Sequence, residues 1–209
     1  MLPAPRASED DMNDRLMDVS KADRLDDPQR LLWLSPAMVI DALGVRPGDV
    51  IADIGAGTGY FSLPLAKAVG PLGLVYAIDC QAEMLGRLQF KLDTGGISNI
   101  CAINADADST GLPDALCNLV FLALVWHELA ERIDCLREAK RLLKPGGHIA
   151  VLDWRPDVEP EHGPPLHHRI SAADAVHSIN SAGFAEVNQC NVGRYSWLVK
   201  GAMHGERSL

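Results

Sequence analysis

From Val50 onward, short apolar runs alternate with longer segments in which apolar residues return every three or four positions. VIADI, GLVYAID, NICAINAD, LCNLVFLAL and HIAVLDW have strand length. The fourth run is continuously apolar, as a strand covered on both faces requires. Between the runs, YFSLPLAKAV, AEMLGRLQFKL and ERIDCLREAKRLL read as helices. The last of these places Ile133, Leu136, Ala139, Leu142 and Leu143 on one stripe. Pro64 belongs to a kink or an irregular first turn, because it lacks an N–H and crowds the preceding turn. Lys144-Pro145-Gly146-Gly147 is expected to stop the third helix. Strand–helix alternation of this kind predicts a parallel sheet with helices on both faces.

The rhythm differs at both ends. VEPEHGPPLHHRI reads as a loop, and SAADAVHSINSAGF as a helix stopped by Gly183. AEVNQC and YSWLVKGA lie too close together for a crossover, so they predict an antiparallel hairpin. Before Val50, DDMNDRLMDVSKADRL has Met12, Leu16 and Val19 at helical spacing. Asp26-Asp27-Pro28 reads as a cap, QRLLWL follows, and PAMVIDAL runs from Ser35-Pro36 to a stop at Gly44. These pieces suggest a helical lid over residues 1–44, ahead of a main domain over 45–209, within one globular domain.

Composition narrows the partners. The chain has 209 residues, 47% of them hydrophobic, and a formal charge of −9 at pH 7. That surface repels phosphate backbones, which argues against a nucleic-acid partner. Cys80, Cys101, Cys117, Cys135 and Cys190 form no C-x-x-C pair and fit a reducing, cytoplasmic setting. The first residues show no signal-peptide core, and no run reaches membrane-spanning length, so no membrane partner is expected.

The candidate chemistry lies at the predicted strand ends, where open parallel sheets bind ligands. Gly55-Ala56-Gly57-Thr58-Gly59 follows VIADI, and Asp79 stands 20 residues beyond Gly59, well placed to accept hydrogen bonds from a ribose diol. In the dinucleotide fingerprint the third glycine falls one residue later, where Tyr60 stands. Asp53 precedes the turn, and a carboxylate beside a pyrophosphate is unfavourable, whereas beside an ammonium or sulfonium it is favourable. Both features point away from a nicotinamide cofactor and toward S-adenosylmethionine.

With VYAIDCQAEML, INADADSTGLP and LREAKRLLKPGGHIAVLD, the glycine turn resembles the class I S-adenosylmethionine-dependent methyltransferases. It is most similar to small bacterial ones of the ubiquinone/menaquinone-biosynthesis type, over about residues 45–153. The resemblance implies an α/β, Rossmann-like doubly wound sheet of seven strands, mostly parallel with a C-terminal antiparallel hairpin strand. It implies that Asp53, Gly55 and Gly57 line the methionine end of the cofactor, with Ala56 and Thr58 also cofactor-binding and Gly59 allowing close packing beneath. Asp79 would hold the ribose, Cys80 or Met84 would pack on adenine, and Asp106, beside Ala105 and Ala107, would accept from the adenine amino group. Leu124 would lie near the transferable methyl. Asn118 departs from an acid common at that position and reads as a strand-edge cap.

Around these positions the acceptor side is less defined. His127 and Glu128 follow the fourth strand and are candidates for a general base and its orienting acid. HELAE lacks the second histidine of a zinc motif, and the cluster His162, His167 and His168 lacks matched acids, so no metal is expected. That loop reads as a pocket cover, with Arg169 a candidate for an anionic substrate. The acceptor is expected to be a small, apolar or aromatic molecule, given Leu31, Leu32, Trp33 and Met38 in the lid. The alternatives are a catalytically silent S-adenosylmethionine-binding module acting through a partner, and a nicotinamide-dependent oxidoreductase. An arsenic acceptor would call for several cysteines near the pocket, and only Cys80 is close to the cofactor loops.

Overall fold

Seven strands form one sheet in a computed structural model that describes residues 17–159 and 161–204. They are β1 (Val50–Ile54), β2 (Leu74–Asp79), β3 (Ile100–Asn104), β4 (Cys117–Ala123), β5 (Leu143–Trp154), β6 (Ala185–Val192) and β7 (Ser196–Ala202). The order is β3-β2-β1-β4-β5-β7-β6, and β7 alone runs antiparallel to its neighbours. The chain reverses direction across the sheet between β1 and β4, so their carboxyl ends flank the natural ligand crevice.

The helices are α1 (Arg30–Trp33), α2 (Pro36–Leu43), α3 (Ser62–Val69), α4 (Ala82–Gly95), α5 (Arg132–Leu142) and α6 (Ala172–Ser181). They bury apolar faces on opposite sides of the sheet. Val39, Leu43, Leu65 and Leu88 pack with Phe121 and Leu152 on one side, and Leu136, Ala139, Ala175 and Ile179 with Leu122 and Val151 on the other. Alternation along β4 and β5 thus feeds two cores. Burying a leucine or isoleucine of this kind stabilises by about 1.5–3 kcal/mol.

Several expectations change in detail. Met12 and Leu16 lie outside the described residues, and Val19–Asp26 forms a 3-10 helix rather than an amphipathic α-helix, with Asp18 accepting from the Ser20 N–H at 2.9 Å. Ile133 is 52% exposed. The buried stripe runs through Cys135, Leu136, Ala139 and Leu142, and Ile133 lies about 200° round the helix from Cys135. Lys144–Gly147 does not separate helix from strand. Leu143 already pairs with Cys117, the four residues bulge out of register, and pairing resumes at Leu119–His148. Pro64 sits in the first turn of α3, where its missing N–H costs nothing, and Gly44 ends α2 at φ +72°. Asn118 ties the strand starts together, its Oδ1 accepting from the Val50 N–H and Lys144 Nζ at 3.0 Å each.

Candidate active site

The turn after β1 folds over the end of β2. The N–H groups of Gly55 and Ala56 donate to the Ile78 carbonyl at 2.8 and 3.0 Å. Gly55 and Gly59 have φ of +74° and +87°. Side chains there would be strained and would collide, since a Cβ would sit 2.8 Å from Val125 at Gly55 and 2.4 Å from Leu88 at Gly59. The turn is therefore a bare backbone wall clamped between α4 and the segment after β4. Its Gly57 N–H donates to Asp79 Oδ2 at 2.8 Å, and the Gln81 N–H donates to Asp79 Oδ1 at 2.9 Å. Each oxygen keeps a lone pair for a further donor.

Acidic groups converge around this wall. Asp53 is buried, its Oδ2 accepting from Ser62 Oγ at 2.5 Å. Burial pushes its carboxyl up to about 7, the Ser62 bond opposes this, and the Asp79 charge adds to it. Burial also raises Asp79, against its two backbone bonds. Glu128, expected from sequence beside His127, also interacts with Asp79. Burial pushes it up to about 7; His127 and a hydrogen bond from the Met17 backbone oppose the rise, and Asp153 and Asp79 reinforce it. Carboxyls forced upward together form a cluster that a cation would relieve.

His127 follows β4 and stands beside these acids. Its Nδ1 lies 2.9 and 3.1 Å from the two Asp153 oxygens, and its own N–H donates to Asp153 Oδ2 at 2.8 Å. Nε2 lies 3.7 Å from Glu128 Oε1, beyond a hydrogen bond. A neutral ring with its proton on Nδ1 therefore presents the Nε2 lone pair to the site. Burial pulls the imidazole down, but Asp153, by charge and hydrogen bond, and then Glu128 raise it above its ordinary range. Asp153, the last residue but one of β5, is the partner that sequence reasoning missed. Its only signal was an acid at a strand's carboxyl end. Just before His127, Leu124 adopts φ +60° and Trp126 is fully buried.

Residues 17–34 lie across the glycine turn. The Leu25 side chain is 3.4 Å from where a Gly57 Cβ would be. Asp26 Oδ1 accepts from Thr58 Oγ1 and Lys91 Nζ at 2.6 Å each, and Gln81 Nε2 donates to the Met17 carbonyl at 3.1 Å. Tyr60 Oη donates to the Leu34 carbonyl at 2.5 Å. Farther along the same edge, Trp33 stacks on His162 at 4.5 Å and meets Trp154 at 5.4 Å. With Leu31, Leu32, Met38 and Tyr195, Trp33 and His162 line a groove of about 370 Å³.

Of the other expected positions, Asp106 and Cys80 are exposed, and Ala107 and Leu124 are half-buried. Partial burial, together with the charges of Asp79, Asp106 and Glu128, pushes the Cys80 thiol up to about 11, so it shares their neighbourhood and stays protonated. Met84, expected against adenine, is 1% exposed on α4. The loop histidines divide: His162 joins the groove, whereas His167 and His168 lie against each other. Arg169 is buried and donates to the carbonyls of Pro164, Arg155, Val158 and His162 with four of its five N–H groups, so it anchors the loop rather than facing an anionic substrate. Among the described residues no group of three or more His, Cys, Asp or Glu could hold a metal ion, and no helix is long and apolar enough to cross a membrane.

The donor set fits S-adenosylmethionine: backbone N–H groups and lone pairs for a ribose, and buried acids for a sulfonium and an ammonium. Comparison with known proteins agrees. A family described as a methyltransferase domain matches residues 52–151. Ubiquinone/menaquinone biosynthesis C-methyltransferase UbiE of Ectopseudomonas mendocina is 37% identical over 59% of this chain and 48% of its own. The protein of the same name from Hahella chejuensis is 37% identical over 62% of this chain and 51% of its own. The chain thus spans about half the length of these curated relatives. A solved S-adenosylmethionine-dependent methyltransferase from Aquifex aeolicus is 34% identical, with a TM-score of 0.85, over 90% of this chain and 99% of that one. Sheet order, glycine turn, clustered acids and an alignment running nearly the full length of a solved relative lead to one conclusion: the chain belongs to the class I S-adenosylmethionine-dependent methyltransferases.

Proposed function

We propose that this protein methylates a small molecule at an oxygen or carbon that must shed a proton, with His127 as the base. The cofactor supplies a methyl group made electrophilic by a positively charged sulfur. Alignment carries most of the barrier reduction in such a displacement, about 7–11 kcal/mol in favourable cases. Asp53, the 55–59 backbone, Asp79 and Asp106 hold the cofactor, and Leu124 lies beside the reacting centre. Cys80 borders the adenine, and Ala56, Thr58 and Ala107 contribute wall. The observation that carries the reading is the Asp153–His127 pair, whose Nε2 lies 3.7 Å from Glu128 among the clustered acids. Asp153 keeps the proton on Nδ1 and steadies the imidazolium after Nε2 has accepted the acceptor's proton. Glu128 then lies close enough to stabilise that charge.

The groove around Trp33, His162 and Tyr195 supplies the acceptor's wall, which suits a flat, apolar molecule. The names of the UbiE relatives place those proteins in quinone biosynthesis, and a quinol-like acceptor fits both the groove and the base. Residues 17–34 act as the lid. The −9 charge disfavours nucleic acid, and five unpaired cysteines suit the reducing cytoplasm. A silent binding module would have no use for a poised base, and Tyr60 stands against a dinucleotide.

The test pairs calorimetry with turnover. The purified full chain should bind S-adenosylhomocysteine and methylate at least one member of a panel of phenols and quinols, read by mass spectrometry. Binding without turnover across the panel, and equal results for His127→Ala, would leave only a binding module.

A further inference from the structure

Two arginines are buried to nearly the same depth, Arg169 at 6% and Arg30 at 7% exposed, but they are used differently. Arg169 spends its guanidinium on four carbonyls. Among the described residues Arg30 makes one hydrogen bond, from Nη1 to the Leu25 carbonyl at 2.6 Å, and it lies over the Tyr60 ring at 3.9 Å and the Trp33 ring at 5.8 Å. Its Nε and Nη2 have no acceptor among those residues. Asp26, the nearest acid, is engaged by Thr58 and Lys91, and Arg87 is engaged by Asp23. No carboxylate lies within ion-pair distance of Arg30 among the described residues. A buried cation in this state calls for an anion.

The location suggests which anion. Leu25, which receives the Arg30 hydrogen bond, lies against Gly57, and Tyr60 ends the same turn. Asp53, Asp79 and Glu128 near that turn are acidic, so they favour the positive part of an amino acid and repel its carboxylate. We propose that Arg30 is the receptor for the α-carboxylate of the cofactor's methionine, its free nitrogens forming charge-assisted hydrogen bonds to that group. The assignment rests on the cofactor reading above. It divides the amino-acid end of the cofactor between acids beneath the turn and a cation carried by the segment above it. The cofactor would thus fasten residues 17–34 by its own carboxylate.

Two ligands and three variants test this in the full-length protein by calorimetry. S-adenosylhomocysteine has the carboxylate, whereas 5′-methylthioadenosine has the same nucleoside without the amino acid. Arg30→Gln should weaken S-adenosylhomocysteine roughly 10- to 100-fold and leave 5′-methylthioadenosine within about twofold. Arg30→Lys should recover part of the loss, since it restores charge without the fork. Arg169→Gln should lower the melting temperature without separating the two ligands. Equal weakening of both ligands by Arg30→Gln would overturn the proposal, reducing Arg30 to a support for its segment. So would unchanged binding of both. If S-adenosylhomocysteine affinity is kept while KM for an anionic acceptor, such as a hydroxybenzoate, rises, the charge serves the acceptor and the proposal also falls. Failure of the unaltered protein to bind either nucleoside would instead reject the cofactor reading itself.

Discussion

On the β1–β2–β3 side of the sheet the site is mostly main chain. Gly55 to Gly59 turn back over Ile78, Asp79 takes N–H groups from Gly57 and Gln81, and all of it falls within about thirty residues. On the β4–β5 side and under residues 17–34 it is made of side chains that meet from distant places. His127 finds Asp153, and Trp33 finds His162, Trp154 and Tyr195. The first construction suits a ligand that is always the same. The second lets the acceptor change while the cofactor cradle stays as it is. Substitutions on the two sides should therefore be read out in different quantities.

The largest effect is expected at His127. His127→Ala should lower kcat by roughly 100-fold or more while leaving S-adenosylhomocysteine affinity within twofold; a matching loss of affinity would erase the division between the sides. Asp153→Asn should act in the same direction by a smaller factor. Because Asp153 raises the imidazole, its loss should also move the alkaline-rising limb of the pH–rate profile to lower pH.

Asp79→Ala should produce the opposite pattern. Cofactor affinity should weaken by about 1–3 kcal/mol, measured by calorimetry, with kcat at saturation nearly kept. Trp33→Ala should raise the KM of an aromatic acceptor several-fold and leave the affinity for S-adenosylhomocysteine unchanged, which would confine the groove to the acceptor.

The smallest effects concern pH. Asp53 and Glu128 titrate near 7 in the fold and near 4 when unfolded, so the native protein binds more protons between those values. The ligand-free fold should lose stability as pH rises from about 4 to 7, which a melting series would show as a drop of a few degrees. A cation bound among these acids reverses the preference. S-adenosylmethionine should thus bind several-fold tighter at pH 8 than at pH 6, with a smaller gain for S-adenosylhomocysteine, which lacks the sulfonium charge. Equal slopes for the two would show that the acids respond to the ammonium alone.

Legibility followed the same division. Strand ends, the glycine turn and Asp79 could be placed from sequence, because each sits at a fixed step from an apolar run and contacts residues near it in the chain. Asp153 looked like any acid closing a strand, and only the pairing of β4 with β5 brings it to His127. Arg169 stood out in sequence as an isolated cation and Arg30 did not, yet loop closure consumes the first and leaves the second with donors to spare. Met84 shows a third limit. Its helical position was clear, but whether it faced ligand or core depended on how α4 seats against β2.

Tyr60 has a consequence for cofactor engineering. Restoring glycine there would complete the spacing of a dinucleotide fingerprint, and on paper Tyr60→Gly would retrofit the fold for nicotinamide. The same ring, however, hooks the Leu34 carbonyl and forms the shelf on which Arg30 rests. Its removal would unlatch the entrance before any new nucleotide gained a foothold, so the choice of cofactor and the closing of the door cannot be exchanged separately.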